Sequence, residues 1–226
     1  MIELNADESR VLGVLVEKAL TTPEQYPLSL NALVNGANQK NNRDPVTALE
    51  ENAVFSAVEG LRAKGLSTRV DQMGARVSKY RHNAGEVLRV RTAELAILAE
   101  LLLRGPQTLG ELRGRAARMH PLESIEQVKG MLDALMDRPR PLAKQIPPLP
   151  GSRADRYMQL LGPDLHPLNA QAAGPAVWGA ENDLAGRLQQ LEEQVAALQR
   201  AVSHLARSLG EPDPLPPEKS ADEPAL

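Results

Sequence analysis

The chain has 226 residues, more than one small domain needs, since single hydrophobic cores usually stop growing at roughly 100 to 200 residues. It is 42% hydrophobic but only 2% aromatic, so a core must be built from Leu, Val, Ile and Ala, which suits close-packed helices better than a large β-sandwich. The absence of cysteine excludes disulfides, iron–sulfur clusters, thiolate zinc sites and cysteine nucleophiles together.

No apolar run reaches the roughly 18 residues of a membrane span, and Met1-Ile2-Glu3-Leu4 is not the basic, greasy start of a signal segment. The expectation is a soluble, cytoplasmic protein with no membrane partner. The net charge of −3 is unevenly spread: residues 1–82 carry ten basic and ten acidic side chains, 83–166 twelve and ten, and 167–226 four and nine. Nonspecific nucleic-acid binders gain affinity by releasing phosphate counterions and gather a clear positive excess, whereas this chain offers local basic patches at most.

In chain order, Asn5 and Glu8 have the spacing of a capping box, and Val11, Leu12, Leu15 and Val16 give the helix behind it one apolar face until Thr21-Thr22-Pro23. In the turn that follows, Thr22 and Gln25 have box spacing, and Tyr26 is placed to plug the gap between the first helix and a later hairpin. A second helix starts near Ser29 with Leu30, Leu33 and Val34, and Gly36 with Asn38 stops it. A loop over 38–45 leads to a third helix with Val54, Phe55, Val58 and Leu61 inward, ending at Lys64-Gly65. Residues 66–72 and 76–82 then read as two strands around Met73-Gly74-Ala75.

Helix, helix, helix, hairpin is the order of a winged helix, and it recurs. Thr92 is expected to cap a helix in which Glu94, Ile97, Leu98, Leu101 and Leu102 repeat Glu8, Val11, Leu12, Leu15 and Val16 at a constant offset of 86. Gly105-Pro106 breaks it, Thr108 with Glu111 boxes a helix bearing Leu109, Leu112 and Ala116, and Ser124 with Gln127 boxes another. In that last helix Val128, Leu132 and Leu135 repeat Val54, Val58 and Leu61 at an offset of 74. Residues 142–146 and 157–161 are the second pair of strands, and Arg76 and Tyr80 return as Arg153 and Tyr157. The pattern is a tandem duplication.

Glu17-Lys18, the run from Thr21 to Ser29, Asn38-Gln39-Lys40, Arg43, Pro45-Val46, Leu101-Leu102-Leu103-Arg104-Gly105, Gly110-Glu111-Leu112-Arg113, Arg115-Ala116-Ala117-Arg118-Met119 and the stretch 153–160 together resemble the uncharacterised bacterial YceH-like family. The resemblance covers about residues 5–162. It implies a pair of winged-helix domains and carries no reaction, ligand or catalytic residue.

Residues 163–180 are rich in Pro, Ala and Gly and read as a linker holding the single Trp178. Leu184, Leu188, Leu191, Val195, Leu198, Val202, Leu205 and Leu209 then alternate strictly four and three apart, a heptad seam in which Arg187 can reach Glu192 of a partner helix. The expected rod of about 26 residues is roughly 39 Å long. It supports self-association as a parallel dimer, the alternative being a helix folded back on its own domain. The fold class expected is α+β, mostly α: two tandem winged-helix domains over 1–82 and 92–162 joined by a connector at 83–91, the linker, a coiled-coil helix over 181–210 and a disordered tail over 211–226.

In winged helices the third helix usually enters the major groove. Here the outward face expected of the first one is Asn52, Ala53, Ser56, Glu59, Gly60 and Ala63, without arginine, and that of the second is Glu126, Gly130, Asp133 and Asp137 beside Lys129. Carboxylates facing phosphates are repelled. The candidate DNA contacts are therefore Lys40 and Arg43 in the loop before the third helix, Arg113, Arg115 and Arg118 on the fifth, and Arg76, Lys79, Arg81, Arg153 and Arg156 on the hairpins. Each arginine has a structural alternative, pairing with a carboxylate such as Glu17 or Glu111 or capping a helix end. His82, His120, His166 and His204 lie far apart without helical zinc spacing, and no Gly-rich phosphate loop occurs, so no catalytic residue, metal or cofactor is expected. The leading reading is a noncatalytic, DNA-associated or regulatory protein. The rival is a protein-interaction scaffold, since small residues on the outer helix faces let a protein partner approach closely.

Overall fold

The computed structural model describes residues 2–71, 77–162, 165–166 and 202–203. The chain divides into two compact units, Met1–Ala170 and Gln171–Leu226. In the second unit only Val202 and Ser203 are described, both helical and Val202 exposed. The seven other heptad positions, Trp178, His204, Arg76 and the Met73-Gly74-Ala75 turn lie outside the described residues.

The first unit holds two winged-helix-like halves. The first half runs α1 (Ala6–Thr21), β1 (Leu28–Ser29), α2 (Leu30–Ala37), α3 (Glu51–Ala63), β2 (Ser67–Val70) and β3 (Lys79–His82). After a short α4 (Ala84–Leu88), the second repeats the order: α5 (Thr92–Arg104), β4 (Gln107–Thr108), α6 (Leu109–Ala116), α7 (Ile125–Met136), β5 (Ala143–Ile146) and β6 (Arg156–Gln159). Each half closes a three-stranded antiparallel sheet, ordered β1-β3-β2 in one and β4-β6-β5 in the other. Tyr80 lies opposite Leu28 and Arg69, and Tyr157 opposite Gln107 and Gln145, so the two tyrosines hold the same place.

Caps form at Asn5, Ser29, Thr108 and Ser124 as their spacing predicts, whereas Thr22 makes no side-chain cap bond toward Gln25 and its hydroxyl donates to the Lys18 carbonyl instead. Asn5 and Glu8 exchange both bonds of a capping box, as do Thr108 and Glu111, while Ser29 accepts from the Ala32 amide. Three details differ. At the start of α5 the Arg91 amide and guanidinium both donate to the Glu94 carboxylate, so Arg91 precedes the helix and Thr92 is its first residue rather than the cap. Ser124 accepts from the Gln127 amide, but the Gln127 side chain turns to the Glu123 amide. Each sheet gains a two-residue strand, β1 and β4, and residues 84–88 of the expected connector form a helical turn.

The halves share one core. The apolar stripe of α1 faces α2 and α3, and the opposite side of the helix packs on α5, so every residue from Glu8 to Val16 is buried. Gly13 permits this approach, because a Cβ there would lie 2.9 Å from the Leu103 side chain. Backbone links complete the junction: the Leu4 amide donates to the Leu161 carbonyl at 2.7 Å and the Asp44 amide to the Leu103 carbonyl at 2.9 Å.

Candidate functional site

A helix buried all round has no water for its polar side chains, so those of α1 need internal partners. Glu17, 2% exposed, receives Arg43 from the α2–α3 loop in a two-pronged pair, Nη1 to Oε1 at 3.1 Å and Nη2 to Oε2 at 2.5 Å. Arg118, from the turn after α6, reaches the same carboxylate and also donates to Glu100 Oε2 of α5 at 2.8 Å. Arg104 lies 3.2 Å from Glu100 and donates to Asn42 Oδ1 at 2.6 Å. The network thus crosses between the halves twice. Burial alone would raise the Glu17 carboxyl, but the hydrogen bond and charge of Arg43, with those of Arg118, outweigh it and hold the group below the ordinary carboxylate range. Arg10, fully buried beside this network, donates to the Leu103 and Pro45 carbonyls at 3.3 and 2.5 Å; burial and then Arg43 push its pKa down to about 10, which leaves it charged at neutral pH.

The ten predicted contact residues separate into groups. Arg43 and Arg118 are committed to buried carboxylates, and Arg115 pairs with Glu111 at 3.2 Å and donates to Gln107 at 2.9 Å, the structural alternative that the sequence left open. Arg156, half-buried on β6, donates to the Pro147 carbonyl at 3.3 Å. Lys40, Arg81, Arg113 and Arg153 are exposed, Lys79 is half-buried, and none of the five makes an ion pair among the described residues. Lys144 of β5 and Arg140 just before it are exposed cations that sequence reasoning passed over, and strand alternation would not have found Lys144, which shares its parity with buried Leu142 and Ile146.

The outer face of α3 departs from expectation. Phe55, predicted inward, is 44% exposed, and Ala57 takes the buried place. Gly60 faces α1, where a Cβ would lie 2.2 Å from Glu8 Oε1, and Lys64 pairs with that carboxylate. Arg62 emerges on the face predicted to lack arginine, bound to Glu59 at 2.6 Å. The outer face of α7 matches its reading: Glu126, Lys129, Asp133 and Asp137 are exposed, with Lys129 and Asp133 paired at 2.9 Å.

The chain matches the model of a protein family of unknown function, DUF480, over residues 4–152. UPF0502 proteins are similar along nearly its whole length: one of Pelobacter propionicus is 47% identical over 90% of this chain and 94% of its own, and one of Citrifermentans bemidjiense is 51% identical over 83% and 87%. A third, of Koribacter versatilis, is 48% identical over 86% of this chain and 90% of its own. The chain belongs to the DUF480 family.

In this DUF480 chain no three His, Asp or Glu side chains among the described residues are grouped to hold a metal ion, and no described helix is long and apolar enough to cross a membrane. Two histidines, half-buried His82 and buried His166, act on stability instead. Tyr26 does fill the gap predicted for it, its hydroxyl accepting from the His82 amide at 2.5 Å. Burial, then Arg81, pushes His82 down to about 4. His166 donates through Nε2 to the Asp44 carbonyl at 2.5 Å, and burial, opposed by that bond and aided by Arg10, pushes it to about 4 as well. An unfolded histidine takes up its proton near pH 6.5, so as pH falls the unfolded chain binds protons first, and stability is lost between about pH 6.5 and 4. Each site is worth about 3 kcal/mol across that window. Urea unfolding at pH 7 and pH 5 is expected to show a lower midpoint at the acid value, and His166→Gln to shrink that difference by about half.

Proposed function

We propose that this protein is a noncatalytic, DNA-associated regulator whose two winged helices, held as one body, grip phosphates with their wings and neighbouring basic loops and pair through the C-terminal heptad seam. The reading agrees with the tandem winged helices that the YceH-like resemblance implies. The observation that carries it is where the unpaired cations stand. Lys79 and Arg81 on the first wing, Lys144 and Arg153 on the second, Lys40 in the loop after α2 and Arg113 on α6 lack ion pairs among the described residues, whereas the exposed cations of α3 and α7, Arg62 and Lys129, are paired. Arg76 belongs to the first wing by sequence.

Titration of random duplex DNA at about 50 and 200 mM salt tests it: four or more phosphate contacts give a log–log slope of about −3.6 or steeper. Absence of association even at the lower salt removes the reading. The remaining account would then be a protein-interaction scaffold, favoured by exposed Phe55, the only phenylalanine in the chain, between Asn52 and Ser56 on α3.

A further inference from the structure

The two halves serve as controls for one another. In the first, an open groove of about 490 Å³ runs between the C-terminal turns of α3 and strand β2, lined by Glu59, Arg62, Ala63, Ser67, Thr68 and Arg69. Arg62 donates through Nη1 alone, to both oxygens of Glu59 at 2.7 and 2.6 Å, and Arg69 through Nε alone, to Asp71 at 3.0 Å. The remaining N–H groups of both forks have no partner among the described residues. Thr68 Oγ1 accepts from Asn83 at 2.6 Å, which leaves its own proton for an acceptor in the groove.

The second half builds the same corner without the arginines. Strand register puts Gln145 opposite Tyr157 where Arg69 stands opposite Tyr80. The helix offset puts Met136 in the place of Arg62 and Asp133 in that of Glu59. Tyrosine and carboxylate recur and both arginines are replaced. A winged helix of this design therefore folds without either arginine, and their presence on both walls of one groove fits a ligand rather than the scaffold. Two guanidinium forks and a hydroxyl that converge across an open channel are donors for a tetrahedral anion.

We propose that the groove between α3 and β2 seats a backbone phosphate of duplex nucleic acid between Arg62 and Arg69, with Glu59 and Asp71 occupying those arginines until phosphate displaces them. The assignment rests on the DNA-associated reading and locates a contact that its wing residues do not include. The exchange is accessible because all four charged side chains are solvent-exposed, and exposed pairs of this kind hold weakly. It also explains how α3 hides its cation: Arg62 is neutralised until the duplex arrives.

The test uses the full chain, a fluorescently labelled random duplex and anisotropy at about 50 to 200 mM salt. The variant R62M/R69Q, which copies the residues of the second half, is expected to bind about tenfold more weakly at low salt, with a slope shallower by about 1.8. The variant E59Q/D71N is expected to bind about threefold more tightly. If the wild-type chain binds and both variants match it, the groove is not the seat and the wing contacts stand alone. If the wild-type chain binds no duplex at low salt, the DNA-associated reading falls and this seat with it. If R62M/R69Q loses binding of inorganic phosphate at about 10 mM and constant ionic strength while its duplex affinity equals that of the wild-type chain, the groove takes free phosphate and the nucleic-acid assignment is overturned. Unchanged melting temperatures in both variants exclude misfolding as the cause.

Discussion

Replacing Glu17 with alanine is expected to destabilise the chain by about 3–5 kcal/mol, the cost of stripping the partner from a buried charge. Arg43 would keep only neutral acceptors, the Gly36 and Asn42 carbonyls at 3.0 and 2.7 Å and Gln39 Oε1 at 2.8 Å, and Arg118 would keep Glu100. The loss should be cooperative across the first unit, because one carboxylate holds an arginine from each half. In a chain of this size it corresponds to a melting temperature about 10 °C lower. The double variant E17L/R43M, which removes both charges and fills the space, is expected to recover much of the loss, since apolar replacements of buried pairs are often neutral or stabilising. Thermal and urea unfolding of the three chains checks this; a Glu17→Ala protein as stable as wild type would show that the carboxylate is hydrated rather than enclosed.

The second large effect is expected at Gly105, which ends α5 with φ 74° and ψ −155°, a conformation that side chains other than glycine resist. A Cβ there would also lie 2.6 Å from His166 Cδ2. Gly105→Ala should therefore cost roughly 2–4 kcal/mol, of which about 1–3 is backbone strain. The remainder should disappear when His166 is also made alanine, because the ring is then gone while the strain persists. Urea midpoints of the two single variants and the double one separate the parts, and strict additivity would mean that the ring moves aside.

The sequence carried the local rules well and the long-range ones poorly. Asn5, Ser29, Thr108 and Ser124 mark helix starts because capping is decided within four residues. The duplication was legible because Leu, Val and Ile recur at fixed offsets, and both sheets then take the same strand order. Strands β1 and β4 left no trace, since two residues cannot display a period and their pairing is set by β3 and β6 far along the chain. The fusion of the halves was hidden for a related reason. The apolar stripe of α1 accounts for one buried face, and nothing in its periodicity tells that Gly13, Arg10 and Glu17 meet α5 and its surroundings.

The same limit governed the candidate site. Arg43 and Arg118 read either as phosphate ligands or, the structural alternative, as partners of a carboxylate such as Glu17 or Glu111, and only the α1–α5 packing decides for Glu17. Phe55 was misplaced because it is adjacent to inward Val54, and the face is shared out instead to Ala57 and Val58. Arg62 was missed because it follows Leu61 directly, yet one further residue is about 100° of helix and enough to bring a long side chain to the surface. The first wing was readable, since alternation along β3 exposes Arg81 beside buried Tyr80, whereas β5 exposes the adjacent Lys144 and Gln145 between buried Ala143 and Ile146 and so breaks the period.

Phosphate gripping by the wings is tested most directly by the salt dependence of duplex binding in a chain carrying Lys79→Gln, Arg81→Gln, Lys144→Gln and Arg153→Gln. Each lost contact should remove about 0.9 from the slope, so the variant is expected to be shallower than wild type by about 3.6. A variant with the wild-type slope would contradict the account, because the duplex would then be held elsewhere.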